Sequence, residues 1–451
     1  MTTPSSPRLS AFRQAAQKDP DFATEKLRQE LRAARGPLVE PLGEGQVLVT
    51  FVWVGAAERV SVRGAQIFPD LMVPAYPLER VPGTDVWWVS TPTRAAVTTV
   101  YQFLVDEPDS SGLHGLSGDP AAALRAQLPH LRADPFNPRR LFSQMALIAG
   151  AYDEPEERWE SILELPGLEP CPWFEERGAP AGTLTAHRFE SKVLGNERTV
   201  TVWTPPGFSP GGGPYPLCVM LDGECWSRVA RMPLGLENLV AAGRITPPVV
   251  AFVNNPRSAT PVVSRTREAA CNPDTARMLA TELLPFLRAH YPLTPDPAQR
   301  VLAGNSLTGL AAAYTALLHP EAYGAVMASS GSFWWGYAHH PVASFMLGKD
   351  DEPEWLTRQY ATEPRAPVRF WLDVGVLEAG TYVPWIPGVD VRACVRHLRT
   401  VLRAKGNEVH YHEAPGGHEF ATFRRSVTLG LQKLLPAPGA GATVGRPPAR
   451  T

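Results

Sequence analysis

Apolar positions along the chain change their spacing three times, and each change predicts a different kind of element. Residues 8–36, rich in Ala, Arg, Gln and Glu, read as one amphipathic helix stopped by Gly36-Pro37. From about residue 46 the period becomes two. The stretches 46–54, 59–62, 85–89 and 99–105 look like short strands and are separated by polar or Gly/Pro turns. That pattern predicts a β-sandwich of immunoglobulin-like size over 37–150, closed by Asp134-Pro135-Phe136-Asn137-Pro138. Residues 151–184, rich in Pro, Glu and Gly, read as a linker without a long element. Strands are then expected at 198–204, 216–222, 248–254, 300–305, 324–330, 368–375 and 408–413, with helices at 274–289, 307–318, 390–405 and 420–434. Strand–helix alternation with apolar strands predicts an α/β domain over 185–435, a mainly parallel sheet with helices on both faces. The tail 436–451, rich in Pro, Gly and Ala, is expected to be disordered.

Composition narrows the classes. A chain of 451 residues exceeds one ordinary core and suggests two domains. A net charge of −2 leaves no basic excess for general nucleic-acid binding. The first thirty residues lack an apolar core of signal-peptide length, and no later run approaches a membrane span, so a cytoplasmic location is expected. Five widely spread cysteines (171, 218, 225, 271 and 394) without a Cys-x-x-Cys pair read as reduced thiols. No metal-ligand cluster is visible, and no protein-bound cofactor is expected.

The chemistry centres on Val301-Leu302-Ala303-Gly304-Asn305-Ser306-Leu307-Thr308-Gly309, an apolar strand running straight into an apolar helix. A serine at that turn has an exposed hydroxyl, and the helix start offers a backbone N–H to developing negative charge. Gly304 keeps the approach clear and Gly309 allows close helix packing. The usual elbow has glycine two residues after the serine, where this chain has Thr308. A serine that merely caps a helix is the plain alternative.

A serine nucleophile needs a base and a group that orients it. His418, in Pro415-Gly416-Gly417-His418-Glu419, lies in a glycine turn between the last strand and the last helix, in Ser…acid…His order. Glu378, beyond the strand 368–375, is the first candidate for the acid. Asp390, which also suits a helix cap, is the second, and a Ser–His dyad is the third. Glu419 reads as a surface charge. A second oxyanion donor is expected from the turn at Asp222-Gly223-Glu224, after the apolar strand ending at Leu221.

Several segments together resemble the enterochelin (enterobactin) esterase family of the α/β-hydrolase superfamily, in its two-domain cytoplasmic form. They are 220–226 (Met-Leu-Asp-Gly-Glu-Cys-Trp), 267–272 (Arg-Glu-Ala-Ala-Cys-Asn) with 282–285, 303–307, 330–335 (Ser-Gly-Ser-Phe-Trp-Trp), 377–380 (Leu-Glu-Ala-Gly) and 416–418. The likeness extends into the sandwich through 83–87 and 134–138. It implies hydrolysis of the ester bonds of a ferric catecholate trilactone siderophore, with iron arriving in the substrate. By the same resemblance Ser306 is the nucleophile and His418 the base, while Glu378 stands in a family segment. The N–H of Leu307 would share the oxyanion with a donor from Gly223 or Glu224.

A ferric tricatecholate is a trianion, so forked cations and flat rings suit it. Arg265, Arg267, Trp226 and Trp335 are the candidates, with Arg228, Arg231 and Trp334 nearby in sequence; Asn272 either touches substrate or holds its own loop. An esterase for another acyl or feruloyl-type ester, or a siderophore-binding protein with weak turnover, are the alternatives. The sandwich is expected to shape a cleft wall or support a homodimer.

Overall fold

A computed structural model describes residues 6–64, 66–68, 75–107, 125–144, 147, 158–257, 261–336, 352–379 and 389–438. The chain divides into two compact units. One comprises 1–170 with the returning segments 375–388 and 414–422, and the other 171–374, 389–413 and 423–451.

In the first unit the helical stretch predicted over 8–36 is broken in two. Helices Pro7–Ala16 and Pro20–Ala34 are separated where Asp19 accepts from the Phe22 N–H at 3.0 Å and Pro20 opens the second helix. Proline at the first helical position cannot continue the preceding helix, so a local cap overrides the shared amphipathic pattern.

The strands that follow are β1 (Leu38–Gly43), β2 (Gln46–Val54), β3 (Val60–Arg63), β4 (Ala75–Pro77), β5 (Glu79–Arg80), β6 (Val86–Arg94), β7 (Thr98–Val105), β8 (Leu131–Arg132), β9 (Arg140–Leu141) and β10 (Glu160–Glu164). They form two sheets, β1-β2-β6-β5 and β4-β3-β7-β10-β9, with β8 pairing β7. Strand β2 shows why. Val47, Val49 and Phe51 join Val62, Tyr101, Phe103 and Leu163 in the core, while Val52 on the alternate face packs with Leu27 and Leu31 of the second helix. The closing motif works through its polar residues: the Tyr101 hydroxyl donates to Asp134 at 2.6 Å, and the Asn137 amide donates to the Ile162 carbonyl at 2.8 Å. Strand β10 falls inside the stretch predicted to be a linker. Four of its five residues pair antiparallel with β7, Ser161 opposite Tyr101, so the sandwich continues beyond the expected boundary at 150.

The second unit carries β11 (Thr183–Ser191), β12 (Asn196–Thr204), β13 (Leu217–Leu221), β14 (Val249–Val253), β15 (Arg300–Asn305), β16 (Ala325–Ser329), β17 (Arg369–Gly375) and β18 (Val409–Ala414) in the order β11-β12-β14-β13-β15-β16-β17-β18. Pairs β13–β14, β13–β15, β15–β16 and β16–β17 are parallel, and β12 meets β14 antiparallel. Strands β13 to β16 are buried throughout, as a sheet covered on both faces requires. Because β13 lies between β14 and β15, the strand order reverses there, and the crevice at its carboxyl end is where open α/β sheets place their ligands. Among the described residues no helix is long and apolar enough to cross a membrane. None of the five cysteines forms a disulfide.

Candidate active site

Strand β15 ends at Asn305 and helix Leu307–Leu318 begins two residues later, so one residue must make the whole turn. Ser306 does so at φ 54, ψ −125, a backbone conformation that costs a non-glycine residue about 1–3 kcal/mol and that its surroundings must enforce. Its N–H donates to the Ser329 carbonyl at 3.0 Å, and its own carbonyl accepts from Ser332 N–H at 3.0 Å. Ser306 is half-buried between fully buried neighbours, so the turn leaves its side chain reachable. A Cβ on Gly304 would lie 2.4 Å from the Thr308 backbone, which is why no larger residue fits before the elbow. The Ser332 hydroxyl lies 3.3 Å from the Ser306 hydroxyl. Ser332 belongs to a family-like segment, but nothing in the sequence marked it as a neighbour of Ser306.

Leu307 opens the helix, so its N–H lies in the first turn, which has no acceptor within the helix. Across the crevice β13 runs into Asp222, at φ 58, and Gly223, where a Cβ would fall 2.3 Å from the Phe252 carbonyl carbon. Cys225 and Trp226 spend their N–H groups on the Asp222 carbonyl, at 2.9 and 3.3 Å.

The Asp222 carboxylate collects four donors: Arg265 Nε at 2.7 Å and Nη2 at 2.6 Å, Asn255 at 2.8 Å and the Thr308 hydroxyl at 2.9 Å. Burial alone would push its pKa up, but the Arg265 charge and these hydrogen bonds hold it below the ordinary value. Thr308, the departure from the usual elbow, also accepts from the Asn305 N–H at 3.0 Å. It therefore ties the turn at Ser306 to the loop after β13.

The second constellation sits in the first unit. Glu378 closes a short 3-10 turn, Val376–Glu378, just past β17, and is fully buried. One of its oxygens accepts the Gly375 N–H at 2.8 Å; the other lies 2.8 Å from His418 Nδ1. The loop bearing His418 meets it through the Leu377 N–H, which donates to the Gly416 carbonyl at 3.0 Å. Glycines are needed for this approach: a Cβ on Gly375 would lie 2.5 Å from the Gly416 carbonyl oxygen. A buried carboxylate on Nδ1 fixes the imidazole's tautomer and leaves Nε2 to accept a proton. Asp390, the second candidate acid, is instead the cap of helix Val391–Ala404, accepting from Ala393 at 2.8 Å.

Other expectations fare differently. Glu419 is buried, not a surface charge: its carboxylate accepts from the Val100 N–H at 3.1 Å and the Thr99 hydroxyl at 3.3 Å, and burial raises its pKa well above the usual range. Trp226 is completely buried and Trp335 is 3% exposed, with its ring against Trp355, so neither presents a face to a ligand; Trp334 is buried too. Arg265 is committed to Asp222, Arg228 reaches Glu224 at 3.2 Å, and Arg231 reaches Glu176 at 2.6 Å. Arg267 is exposed. Asn272 holds its own loop, capping helix Pro273–Met278 and donating to the Arg267 carbonyl at 3.1 Å. Among the described residues no group of three or more His, Cys, Asp or Glu is arranged to hold a metal.

Comparison with known proteins identifies the family. Residues 191–434 match the family model described as "Putative esterase", and residues 48–173 match the model for the enterochelin esterase N-terminal domain. An iron(III) enterobactin esterase of Dickeya dadantii is 27% identical over 94% of this chain and 96% of its own length. The ferric enterobactin esterase of Salmonella typhimurium superposes with a TM-score of 0.71 at 25% identity, over 90% of this chain and 98% of that one. The enterobactin esterase of Shigella flexneri, solved in the presence of 2,3-dihydroxy-N-benzoyl-serine, gives 0.67 at 25% identity over 90% and 97%. With both models matched in order between residues 48 and 434, this chain is a carboxylic ester hydrolase of the enterochelin esterase family in its two-domain form.

Proposed function

We propose that the chain hydrolyses the serine–serine ester bonds of an iron-loaded catecholate trilactone of the enterobactin type, in the cytoplasm, with Ser306 as nucleophile. The observation that carries this reading is the pairing of the half-buried His418 with the buried Glu378, 2.8 Å apart, because a carboxylate-oriented imidazole is what a serine needs for a base. The relatives' names support the substrate, and chain order supports the grouping: Ser306, Glu378 and His418 each follow the end of a strand of one sheet, β15, β17 and β18.

In this reading Ser306 Oγ attacks the ester carbonyl carbon while His418 Nε2 takes its proton. The oxyanion accepts hydrogen bonds from Leu307 N–H and from an N–H of the Gly223-Glu224 turn. Collapse breaks the C–O bond, and His418 returns the proton to the leaving serine hydroxyl of the siderophore. Water, activated by the same imidazole, then attacks the acyl-enzyme and releases the carboxylate. Opening the trilactone uncouples the three catecholate arms and lowers their joint hold on iron.

The test is chromatographic. Ferric trilactone incubated with the protein is expected to yield linear trimer and shorter dihydroxybenzoyl-serine products, and Ser306→Ala is expected to lower the rate ~1,000-fold or more. A serine-reactive phosphonate should label Ser306. Rapid turnover of a feruloyl ester beside an untouched trilactone would overturn the substrate assignment.

A further inference from the structure

The amino-terminal sandwich carries no nucleophile, acid or base of the reaction, yet its unit holds the histidine loop by a dense set of hydrogen bonds. Gln66 grips a single residue with both ends of its side-chain amide. Its Oε1 accepts the His418 N–H at 2.7 Å, and its Nε2 donates to the His418 carbonyl at 3.3 Å. This is the pairing a neighbouring strand would give, supplied by one side chain.

Gln66 is itself anchored. Its N–H donates to the Thr99 hydroxyl at 3.1 Å, and the residues after it, Ile67 and Phe68, are buried in the sandwich core. The loop is fastened on either side of His418 as well. Thr98 N–H donates to the Pro415 carbonyl at 2.8 Å, and Thr99 and Val100 hold the Glu419 carboxylate. Gly417 permits the close approach, since a Cβ there would stand 2.0 Å from Gln66 Oε1. On the acid's side, Val376 and Leu377, next to Glu378, pack against the same core.

We propose that Gln66 is a positioning residue for His418, and that the sandwich domain serves the reaction by fixing the backbone from which the imidazole projects. This rests on the assignment of His418 as the base. Glu378 constrains only the Nδ1 edge of the ring; where the ring stands depends on the peptide that bears it. With that peptide held at both its N–H and its carbonyl, Nε2 keeps one position. A shift of about 1 Å in a reacting group is enough to cost ~100-fold in rate.

The experiment uses the full chain with Gln66→Met, which keeps size and removes both hydrogen bonds, and Gln66→Glu, which keeps the acceptor for His418 N–H and loses the donor. Steady-state hydrolysis of ferric trilactone is measured, with the low-field proton resonance of the His418 Nδ1–Glu378 hydrogen bond and the melting temperature. The expected result is a kcat lower by ~10- to 100-fold for Gln66→Met and by less for Gln66→Glu, with KM within about twofold and the low-field resonance shifted or broadened in both. Wild-type kcat and an unmoved resonance in either folded variant would overturn the proposal. So would a kcat loss that tracks a loss of melting temperature while the resonance stays in place. His418→Ala separates the two levels: full activity there overturns the assignment of the base, whereas its inactivity beside a fully active Gln66→Met refutes the positioning role alone.

Discussion

The Thr308 hydroxyl donates to Asp222 at 2.9 Å, linking the second residue after Ser306 to the residue before the Gly223-Glu224 turn. Its single proton has two acceptors in reach, Asp222 and the Asn305 carbonyl at 2.8 Å, and the carboxylate is the stronger because it is charged. A glycine at this position, as in the usual elbow, makes no such link.

Thr308→Val keeps the branched shape and removes the hydroxyl. It leaves the buried Asn305 N–H without the acceptor it has here and takes one of four donors from Asp222. The expected cost is about 1–3 kcal/mol of stability, read from urea unfolding. A ~10-fold fall in kcat at nearly constant KM should accompany it, because the turn at Ser306 and the loop after β13 lose their common tie. An unchanged kcat would show that the turn is held by the Ser329 and Ser332 backbone contacts alone.

The two candidate acids separate by substitution. Glu378→Gln keeps volume but removes the charge that stabilises an imidazolium, so kcat should drop ~100- to 10,000-fold with little change in KM. Asp390→Ala removes only a helix cap and should cost about 1 kcal/mol of stability with activity intact. Equal activity losses in both variants would contradict this assignment.

Gly223 tests the crevice by size. A methyl group there meets backbone atoms of Phe252 and Val253 at 2.3 and 2.4 Å, and backbone in a central strand has little room to yield. Gly223→Ala should therefore destabilise the chain by about 1–3 kcal/mol, seen as a lower melting temperature, and reduce kcat if the displaced turn supplies the proposed oxyanion donor. Wild-type values for both would show that the turn relaxes freely.

What was legible in the sequence follows from how local the determining forces are. Helix 307–318 was readable to the residue because it is apolar all round and lies between a strand and a proline-bounded loop. The turn at Ser306 was readable for the same reason, since strand, glycine and helix are contiguous. Strand β10 was not, because five residues among Pro and Glu gain strand character only by pairing with β7, some sixty residues earlier in the chain. Strand β11 escaped too, being polar and largely exposed along β12. Glu419 looked like a surface charge because its burial is decided by Val100, 319 residues away. The tryptophans taught the same lesson in reverse: the residue type suggests stacking, but only packing decides whether a ring faces the crevice or the core.

Asp134 gives the sandwich a pH dependence of definite sign. Burial raises its carboxyl from 3.8 to about 6, against the opposing hydrogen bonds from Tyr101 and the Phe136 N–H. The folded chain thus binds a proton more tightly than the unfolded one between those values. The associated stability is fully present below about pH 4 and is lost as pH rises through about 6. Glu160, raised from 4.5 to about 7 by burial against the pull of Arg63, adds a contribution of the same sign. Asp134→Asn stands for the protonated acid and still offers an oxygen to the Tyr101 hydroxyl. Its stability relative to the native chain should therefore improve as pH goes from 4.5 to 7.5, while the Glu160 contribution persists in both. Urea midpoints at those two pH values, followed by a probe in the sandwich, measure the difference. A relative stability that is flat or falls with pH would mean that Asp134 is ionised in the folded state throughout, with Tyr101 donating to a carboxylate instead of sharing its proton.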